Sequence, residues 1–437
     1  MIQDDCIVRA GALSETPRVF AKYWDGNVPL VIADRNTWAV AGQQVATALR
    51  DAGHTRTETF VFPDEQEVYA DDTHVATVRA LLEGNDRIAV AVGSGTINDL
   101  VKRASAECGK QYLIVATAPS VDGYTAFGAA ITVRGFKTTL PCAPPAAVVA
   151  DTTILCAAPA AMIASGYGDL AAKVPAGADW QIADLLGIDP IARMVWDMVQ
   201  IPLRPRLADP RGLAQREAVA VTGLFEGLAQ VGYAMQIHKD SRPASGSEHL
   251  MSHIWEMEHV TVAGKAASHG FKVAVGTLAS TALLTELAAL SRQEVEASIA
   301  SHRSPSLAER LEQLDRLFPN DPSKEATVRA ATAKFLHGTA LAERQRLIAS
   351  RWDELRRRVV AQIIPFDELK AMFRSAGCPV EPAQVGLDRA ALERGMRKAQ
   401  AIRVRYTALD LAYETGLLDP LLATVARSPR YFSKFLD

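Results

Sequence analysis

Short apolar runs alternate with helix-period segments through the first 150 residues, and no other feature limits the fold of this chain as much. Val28–Ala33 (VPLVIA) reads as a strand, and Trp38–Ala52 reads as a helix, with Val40, Val45, Ala48 and Leu49 at helical spacing and Gly53 as its stop. Glu58–Phe62 reads as a second strand, Val75–Leu82 as a helix, and Ile88–Val92 (IAVAV) as a buried strand. Ile97–Glu107 is a helix ending at Gly109, and Tyr112–Thr117 (YLIVAT) repeats the strand pattern. Strands that are apolar on both faces, each followed by a helix, predict a doubly wound and mostly parallel sheet.

After about residue 155 the strand runs stop. Helical periods are read over Asp184–Gln200, Leu213–Lys239, Ser247–Val262, Val275–Leu290, Lys324–Leu336, Leu341–Ile363 and Asp388–Tyr413, with loops at Pro202–Arg211 and Phe318–Ser323. The expected architecture is an α/β Rossmann-like domain over residues 1–160, followed by an all-α domain over 161–437 that includes a C-terminal extension. The active site is expected in the cleft between them.

Charge and composition remove several functions. Lys+Arg 47 against Asp+Glu 50 gives a net charge of −3, so no global positive field draws the chain to nucleic acid or anionic lipid. Six arginines, Arg344, Arg346, Arg351, Arg356, Arg357 and Arg358, fall on one predicted helix. Glu343, Asp353 and Glu354 interleave with them, which reads as a solvated, self-paired face. The longest apolar run, Ile154–Ala164, contains Pro159 and is too short to span a bilayer. The start, MIQDDC, is polar and acidic, so a cytoplasmic protein is expected. Five scattered cysteines without a C-x-x-C pair read as reduced, mostly buried thiols.

Two regions carry chemistry. IAVAVGSGTIND (88–99) is a strand that ends in glycines and opens a helix, where Gly93 and Gly95 allow close backbone approach and the free N–H groups attract phosphate. TAPSVDGY (117–124) is a second polar turn at the end of a neighbouring strand, where open α/β sheets bind ligands. Asp34, at the end of the first strand, can accept hydrogen bonds from an adenosine ribose, or equally cap the next helix. The other region is a histidine cluster. Four of the nine histidines, His249, His253, His259 and His269, fall between residues 249 and 269, where even scattering would place fewer than one. His249 and His253, at i and i+4, project from one helix face, and His269 follows at a loop-to-helix junction. The best third ligand is Asp169 in SGYGDLAAK (165–173), since two imidazoles and a carboxylate suit a divalent ion with room for a substrate oxygen.

Together GSGTINDLVK (93–102), TAPSVDGY (117–124), SGYGDLAAK (165–173), SEHLMSHIWEM (247–257) and HGFKVAVGTL (269–278) resemble the sn-glycerol-1-phosphate dehydrogenases. That family belongs with the iron-containing alcohol dehydrogenases, glycerol dehydrogenase and dehydroquinate synthase. RYT (405–407) and LDL (409–411) resemble the end of its bacterial branch. The resemblance implies a cytoplasmic enzyme of phospholipid metabolism, at least a homodimer, which uses NAD or NADP and one divalent ion (zinc, nickel or iron). It would interconvert dihydroxyacetone phosphate and sn-glycerol 1-phosphate. It implies that Gly95, Thr96, Ile97, Asn98 and Asp99 cradle the pyrophosphate and that Thr117, Ala118, Pro119 and Ser120 form the second cofactor turn. Asp169, His249 and His269 would hold the metal, while Asp122, Asp169 and His253 would meet the substrate. Two departures stand out: Ala126 replaces a serine common in relatives, and residues 290 to 380 exceed what the core family needs.

Lys137, Lys173 or Lys272 is expected either to meet the substrate phosphate or to be a solvated surface residue. Asp34 favours NAD, because a carboxylate repels a 2′-phosphate. Two other activities fit the same fold, a dehydroquinate-synthase-like lyase or cyclase and a glycerol dehydrogenase. A non-catalytic nucleotide-binding protein is the remaining alternative.

Overall fold

The computed structural model describes residues 6–63, 68–133, 136–319 and 324–436. The strands are β1 (Cys6–Arg9), β2 (Val28–Ala33), β3 (Glu58–Val61), β4 (Arg87–Gly93), β5 (Leu113–Ala116), β6 (Ala129–Val133), β7 (Phe136–Leu140) and β8 (Ala147–Asp151), with a short hairpin at Thr261–Val262 and Lys265–Ala266. Six of them form one sheet in the order β1-β8-β5-β4-β2-β3. Every pairing in it is parallel, as in Val31↔Val90 and Val90↔Leu113. β6 and β7 form a separate antiparallel hairpin. The order in which successive strands join the sheet reverses between β2 and β4, so the carboxyl ends of these two parallel strands make the topological switch point at which open α/β sheets bind ligands.

All six residues of β2 are buried, as are six of the seven in β4. Both faces of the sheet are therefore covered, and these strands read as continuous apolar runs rather than alternating ones. One face packs Phe20, Val45, Leu49, Val90, Val115 and Val149 into a single core. Burial of each large side chain stabilises the fold by roughly 1.5–3 kcal/mol. The predicted strands at β2 to β5 are all present. The sequence pattern marks no strand at β1, β6, β7 or β8, and the Pro-rich stretch before β8 resembles a loop.

The chain divides into two compact units, residues 1–170 with 202–240, and residues 171–201 with 241–437. The boundary at residues 170 and 171 falls inside the helix Ala160–Ala171, which contributes to both. In the second unit the helix His269–Ala289 forms the core and packs against Ser247–Met257 and Gly338–Gln362. Gly276 lets two of these helices touch, since a Cβ there would stand 2.5 Å from the Glu248 carbonyl oxygen.

Several expectations need correction. Pro202–Arg211 is not a loop throughout, because Arg193–Leu207 is helical with Pro202 and Pro205 inside it. Buried Leu203 and Leu207 hold those turns against the fold. The single helix read over Asp388–Tyr413 is two, Arg389–Ala399 and Ala408–Glu414. Part of the Phe318–Ser323 loop lies outside the described residues. Four of the five free cysteines are half-buried and only Cys378 is buried. Two helices, Ala218–His238 and His269–Ala289, have the length and apolarity of a membrane span although neither is an uninterrupted apolar run. Burial of 61% and 83% of their apolar windows inside the chain accounts for that composition. On the arginine-rich helix the expected pairs form, with Glu354 held by Arg351 at 2.9 Å and by Arg358 at 2.6 Å.

Candidate active site

At the switch point, β4 ends at Gly93 and the helix Gly95–Glu107 begins. Ser94, its N-cap residue, makes no side-chain cap bond, so the first-turn N–H groups are left for a ligand. The Thr117 N–H donates to the Gly93 carbonyl at 3.1 Å and ties the second turn to the first. Both turns border a cavity of about 860 Å³ lined by Asp34, Thr37, Ser94, Thr96, Thr117 and Ala118, among others. Asp34 also caps the short helix Arg35–Thr37, accepting from the Thr37 N–H at 2.8 Å, so it takes the capping role while lining the cavity.

The remaining residues of the two turns have other work. Gly95 opens the helix, and buried Ile97 packs beneath Gly93. Asn98 is fully buried, accepting from the Tyr112 hydroxyl at 2.9 Å and donating to the Gly123 carbonyl at 3.4 Å. Asp99 accepts from the Ala130 N–H at 3.3 Å. Pro119 and Ser120 pack toward the helix Ala160–Ala171. Gly166 lies so close to them that a Cβ would reach 1.8 Å from the Pro119 carbonyl oxygen, and the Ser120 carbonyl accepts from the Ser165 hydroxyl at 3.4 Å.

Lys102, on the next turn of the same helix, was not singled out in the sequence. It is fully buried, and its Nζ donates to the carbonyls of Gly123 at 2.7 Å, Ala126 at 3.0 Å and Gly128 at 3.2 Å. Burial lowers its pKa and Asp99 opposes that shift. The cation thus holds the segment carrying Asp122, in part through the Ala126 carbonyl. The Asp122 N–H in turn donates to Asp169 Oδ2 at 2.9 Å.

The histidines come together on two helices. His249 and His253 lie on Ser247–Met257, and His269 opens His269–Ala289. Ring centroids stand 5.6 Å apart for His249 and His269, 6.4 Å for His249 and His253, and 6.0 Å for His253 and His269. Each ring has a carboxylate at its Nδ1: Glu248 at 2.8 Å from His249, and Glu256 at 2.8 Å from His269 and 3.4 Å from His253. A carboxylate there favours the Nδ1–H tautomer, which makes Nε2 the nitrogen with a lone pair to offer a metal. Asp169 is fully buried. Asp169, His249 and His269 between them offer a carboxylate and two imidazoles, a donor set that could hold a metal ion. Two neutral imidazoles with outer carboxylates and one buried carboxylate fit a divalent ion such as zinc, nickel or iron. His259 stands apart, at φ 52 in the turn after the first of these helices.

Glu248 and Glu256 also escaped the sequence reading, although Glu256 lies at i+3 from His253 in a motif already marked. Glu248 Oε1 accepts from the Gly246 N–H at 2.7 Å, which anchors the start of the helix. Asp179 reinforces that start by accepting from the N–H groups of Ser247 and Ala408, both at 2.7 Å. Burial, with Glu248 adding to it, pushes the Asp179 carboxyl up to about 6. Lys173 and Lys272 are both buried, which overturns the solvated-surface reading for them, because each lies on a helix packed into the second unit. The side chain of Lys137 lies outside the described residues.

Known proteins are similar to this chain along most of its length. The family model described as iron-containing alcohol dehydrogenase matches residues 7–159. A glycerol-1-phosphate dehydrogenase [NAD(P)+] of Geobacillus thermodenitrificans is 31% identical over 405 residues, covering 92% of this chain and 90% of that one. One of Methanosarcina mazei is 30% identical over 318 residues, covering 70% and 83%. Among solved structures, glycerol dehydrogenase from Schizosaccharomyces pombe superposes with a TM-score of 0.54 at 15% identity, covering 98% of this chain and 92% of that one. Maleylacetate reductase from Agrobacterium tumefaciens gives 0.56 at 14%, covering 98% and 95%. At such identities the two structures establish the fold alone. By fold, by motif order and by identity along nearly its whole length, the chain belongs to the glycerol-1-phosphate dehydrogenase family.

Proposed function

We propose that this chain is a metal-dependent, NAD(P)-linked dehydrogenase that interconverts dihydroxyacetone phosphate and sn-glycerol 1-phosphate by hydride transfer. The observation that carries the reading is the match of 92% of the chain to a relative of that name. In this reading Asp169, His249 and His269 hold the ion, whose Lewis acidity lowers the pKa of a secondary hydroxyl or polarises the corresponding carbonyl. Glu248 and Glu256 keep protons on Nδ1 of the ligand imidazoles, and the Asp122 N–H fixes one oxygen of the Asp169 carboxylate. His253 and Asp122 accept the hydroxyl proton on oxidation and return it on reduction, each acting as a general base or acid.

The cofactor residues divide their work in the same reading. Gly95, Thr96, Ile97, Thr117 and Ala118 form the bed of the dinucleotide, with backbone N–H groups toward the pyrophosphate and Asp34 toward the ribose. Asn98, Asp99, Pro119 and Ser120 support that bed from behind. Lys173 or Lys272 supplies a point charge to the substrate phosphate. The test is a panel in which purified protein, loaded with a divalent ion, oxidises NADH or NADPH with dihydroxyacetone phosphate or dihydroxyacetone. Preference for the phosphorylated ketone supports the reading, whereas preference for the unphosphorylated one moves the assignment to glycerol dehydrogenase. No turnover with any metal sinks it. Full conversion with only catalytic NAD would reveal a dehydroquinate-synthase-like reaction.

A further inference from the structure

The helices after residue 290 enclose a second cavity, of about 670 Å³, that shares no residue with the site described above. Arg310, on the helix Leu307–Leu317, lines it and is only 5% exposed. Its Nη2 donates to Gln400 Oε1 at 2.5 Å, its guanidinium lies 4.6 Å from the ring centre of Tyr413, and its Nε has no acceptor. Among the described residues no carboxylate forms an ion pair with it. Asp410, which acts on it through space, is already paired with Lys334 at 2.6 Å. A buried guanidinium without a counter-ion is unfavourable, and burial lowers its pKa accordingly.

Arg303, Arg316 and Arg397 line the same cavity. Their partners, Glu309 at 2.5 Å, Glu312 at 3.9 Å and Asp419, line it too. Four guanidiniums therefore face three carboxylates, and the unmatched charge is the buried one. His302 adds a further nitrogen at the edge. The rim pairs of Arg303 and Arg316 are exposed, with side-chain exposures of 84% and 71%, so they are weak and can exchange their carboxylates for a ligand. Guanidinium forks match phosphate oxygens in a bidentate way, and the volume exceeds what a bare ion needs.

We propose that this cavity binds a small phosphorylated molecule, with Arg310 as its buried counter-ion and Arg303, Arg316 and Arg397 around its phosphate. The cavity lining comes from two stretches, His302 to Leu317 and Arg397 to Asp419, and includes none of the residues assigned above to cofactor, metal or substrate. The test is isothermal titration of metal-loaded, NADH-saturated protein with inorganic phosphate and, separately, AMP. Tighter binding of AMP than of phosphate identifies a phosphorylated organic ligand, and equal binding identifies phosphate as the recognised group. Either way, Arg303→Ala with Arg316→Ala, two exposed changes that leave the core intact, should weaken binding at least tenfold. Arg310→Gln should weaken it further, and His249→Ala should leave it unchanged. The proposal is overturned if the wild type binds neither probe. It is equally overturned if the double variant binds as the wild type does, or if His249→Ala removes all binding.

Discussion

The candidate cofactor region and the candidate metal region of this molecule are built from different materials. At the carboxyl ends of β2 and β4 the binding surface is mostly backbone: an uncapped helix start, two turns joined by the Thr117 N–H, and glycines where chains touch. On the helices Ser247–Met257 and His269–Ala289 it is side chain, three imidazoles each held by a carboxylate. Backbone sites tolerate exchange of side chains at their surface but depend on buried groups that hold the turns. Side-chain sites depend on each donor atom directly. The difference decides where substitutions should hurt.

The largest effect is expected in the side-chain site. His269→Ala, or Asp169→Asn, should lower kcat by on the order of 10³-fold through loss of Lewis-acid stabilisation. Elemental analysis of the purified variants should show substoichiometric metal with an unchanged far-ultraviolet circular dichroism spectrum. A variant that keeps both metal and turnover would remove that residue from the ligand set.

The backbone site should be most sensitive at Lys102, which touches no ligand. Lys102→Met removes the donor shared by the carbonyls of Gly123, Ala126 and Gly128, leaving Gly123 only the Asn98 amide, at about 1–3 kcal/mol for each buried group left unsatisfied. Denaturant unfolding should therefore show a loss of about 3 kcal/mol or more, and NADH affinity in the surviving folded fraction should fall as the 122–128 segment loosens. Glu256→Gln belongs to the side-chain site but acts one step removed. Loss of the carboxylate that orients both His253 and His269 should weaken metal affinity roughly 10- to 100-fold, read by chelator competition.

Legibility in the sequence follows the same division. β2 to β5 are legible from apolar runs, because buried parallel strands leave them continuous, and the two candidate cofactor turns from the glycines and polar residues that end β4 and β5. The proposed metal ligands His249 and His269 are legible from residue type, because histidines are rare enough for a cluster to stand out. What escaped was every group whose role depends on distant partners. Asp179 reaches the N–H groups of Ser247 and Ala408, 68 and 229 positions away, and Lys102 reaches carbonyls more than 20 positions on. No local pattern marks such residues, since a buried ion in a helix has the same spacing as a solvated one. Glu248 and Glu256 were the exception, adjacent to marked histidines and readable as their partners.

A pH experiment probes the second unit away from both sites. Burial pushes the Glu414 carboxyl up to about 7, against the Tyr406 hydroxyl that donates to it at 2.7 Å. A carboxyl whose folded pKa is raised binds its proton more tightly in the folded state. Its contribution is therefore favourable below the unfolded pKa near 4.5 and is lost as pH rises toward 7. Glu414→Gln cannot ionise, so its stability relative to the wild type should increase between pH 5 and pH 8, by about 1–3 kcal/mol in urea unfolding. A difference independent of pH would show that Glu414 does not titrate in this range.

The smallest expected effect is also the cleanest separation of backbone from side chain, because Asp34 does both kinds of work. As the cap of Arg35–Thr37 it accepts the Thr37 N–H, and as a wall of the 860 Å³ cavity it places a negative charge beside the ribose position proposed above. Asn caps a helix about as well as Asp, so Asp34→Asn keeps the turn and removes only the charge. If the charge sets cofactor choice, this variant should raise kcat/KM for NADPH relative to NADH by roughly tenfold, about 1.4 kcal/mol of relieved repulsion against a 2′-phosphate, with thermal stability unchanged. Asp34→Ala should give the same cofactor shift together with a loss of about 1 kcal/mol from the missing cap. A cofactor shift seen with Ala and absent with Asn would assign the preference to the shape of the turn, and the charge at Asp34 would then play no part in it.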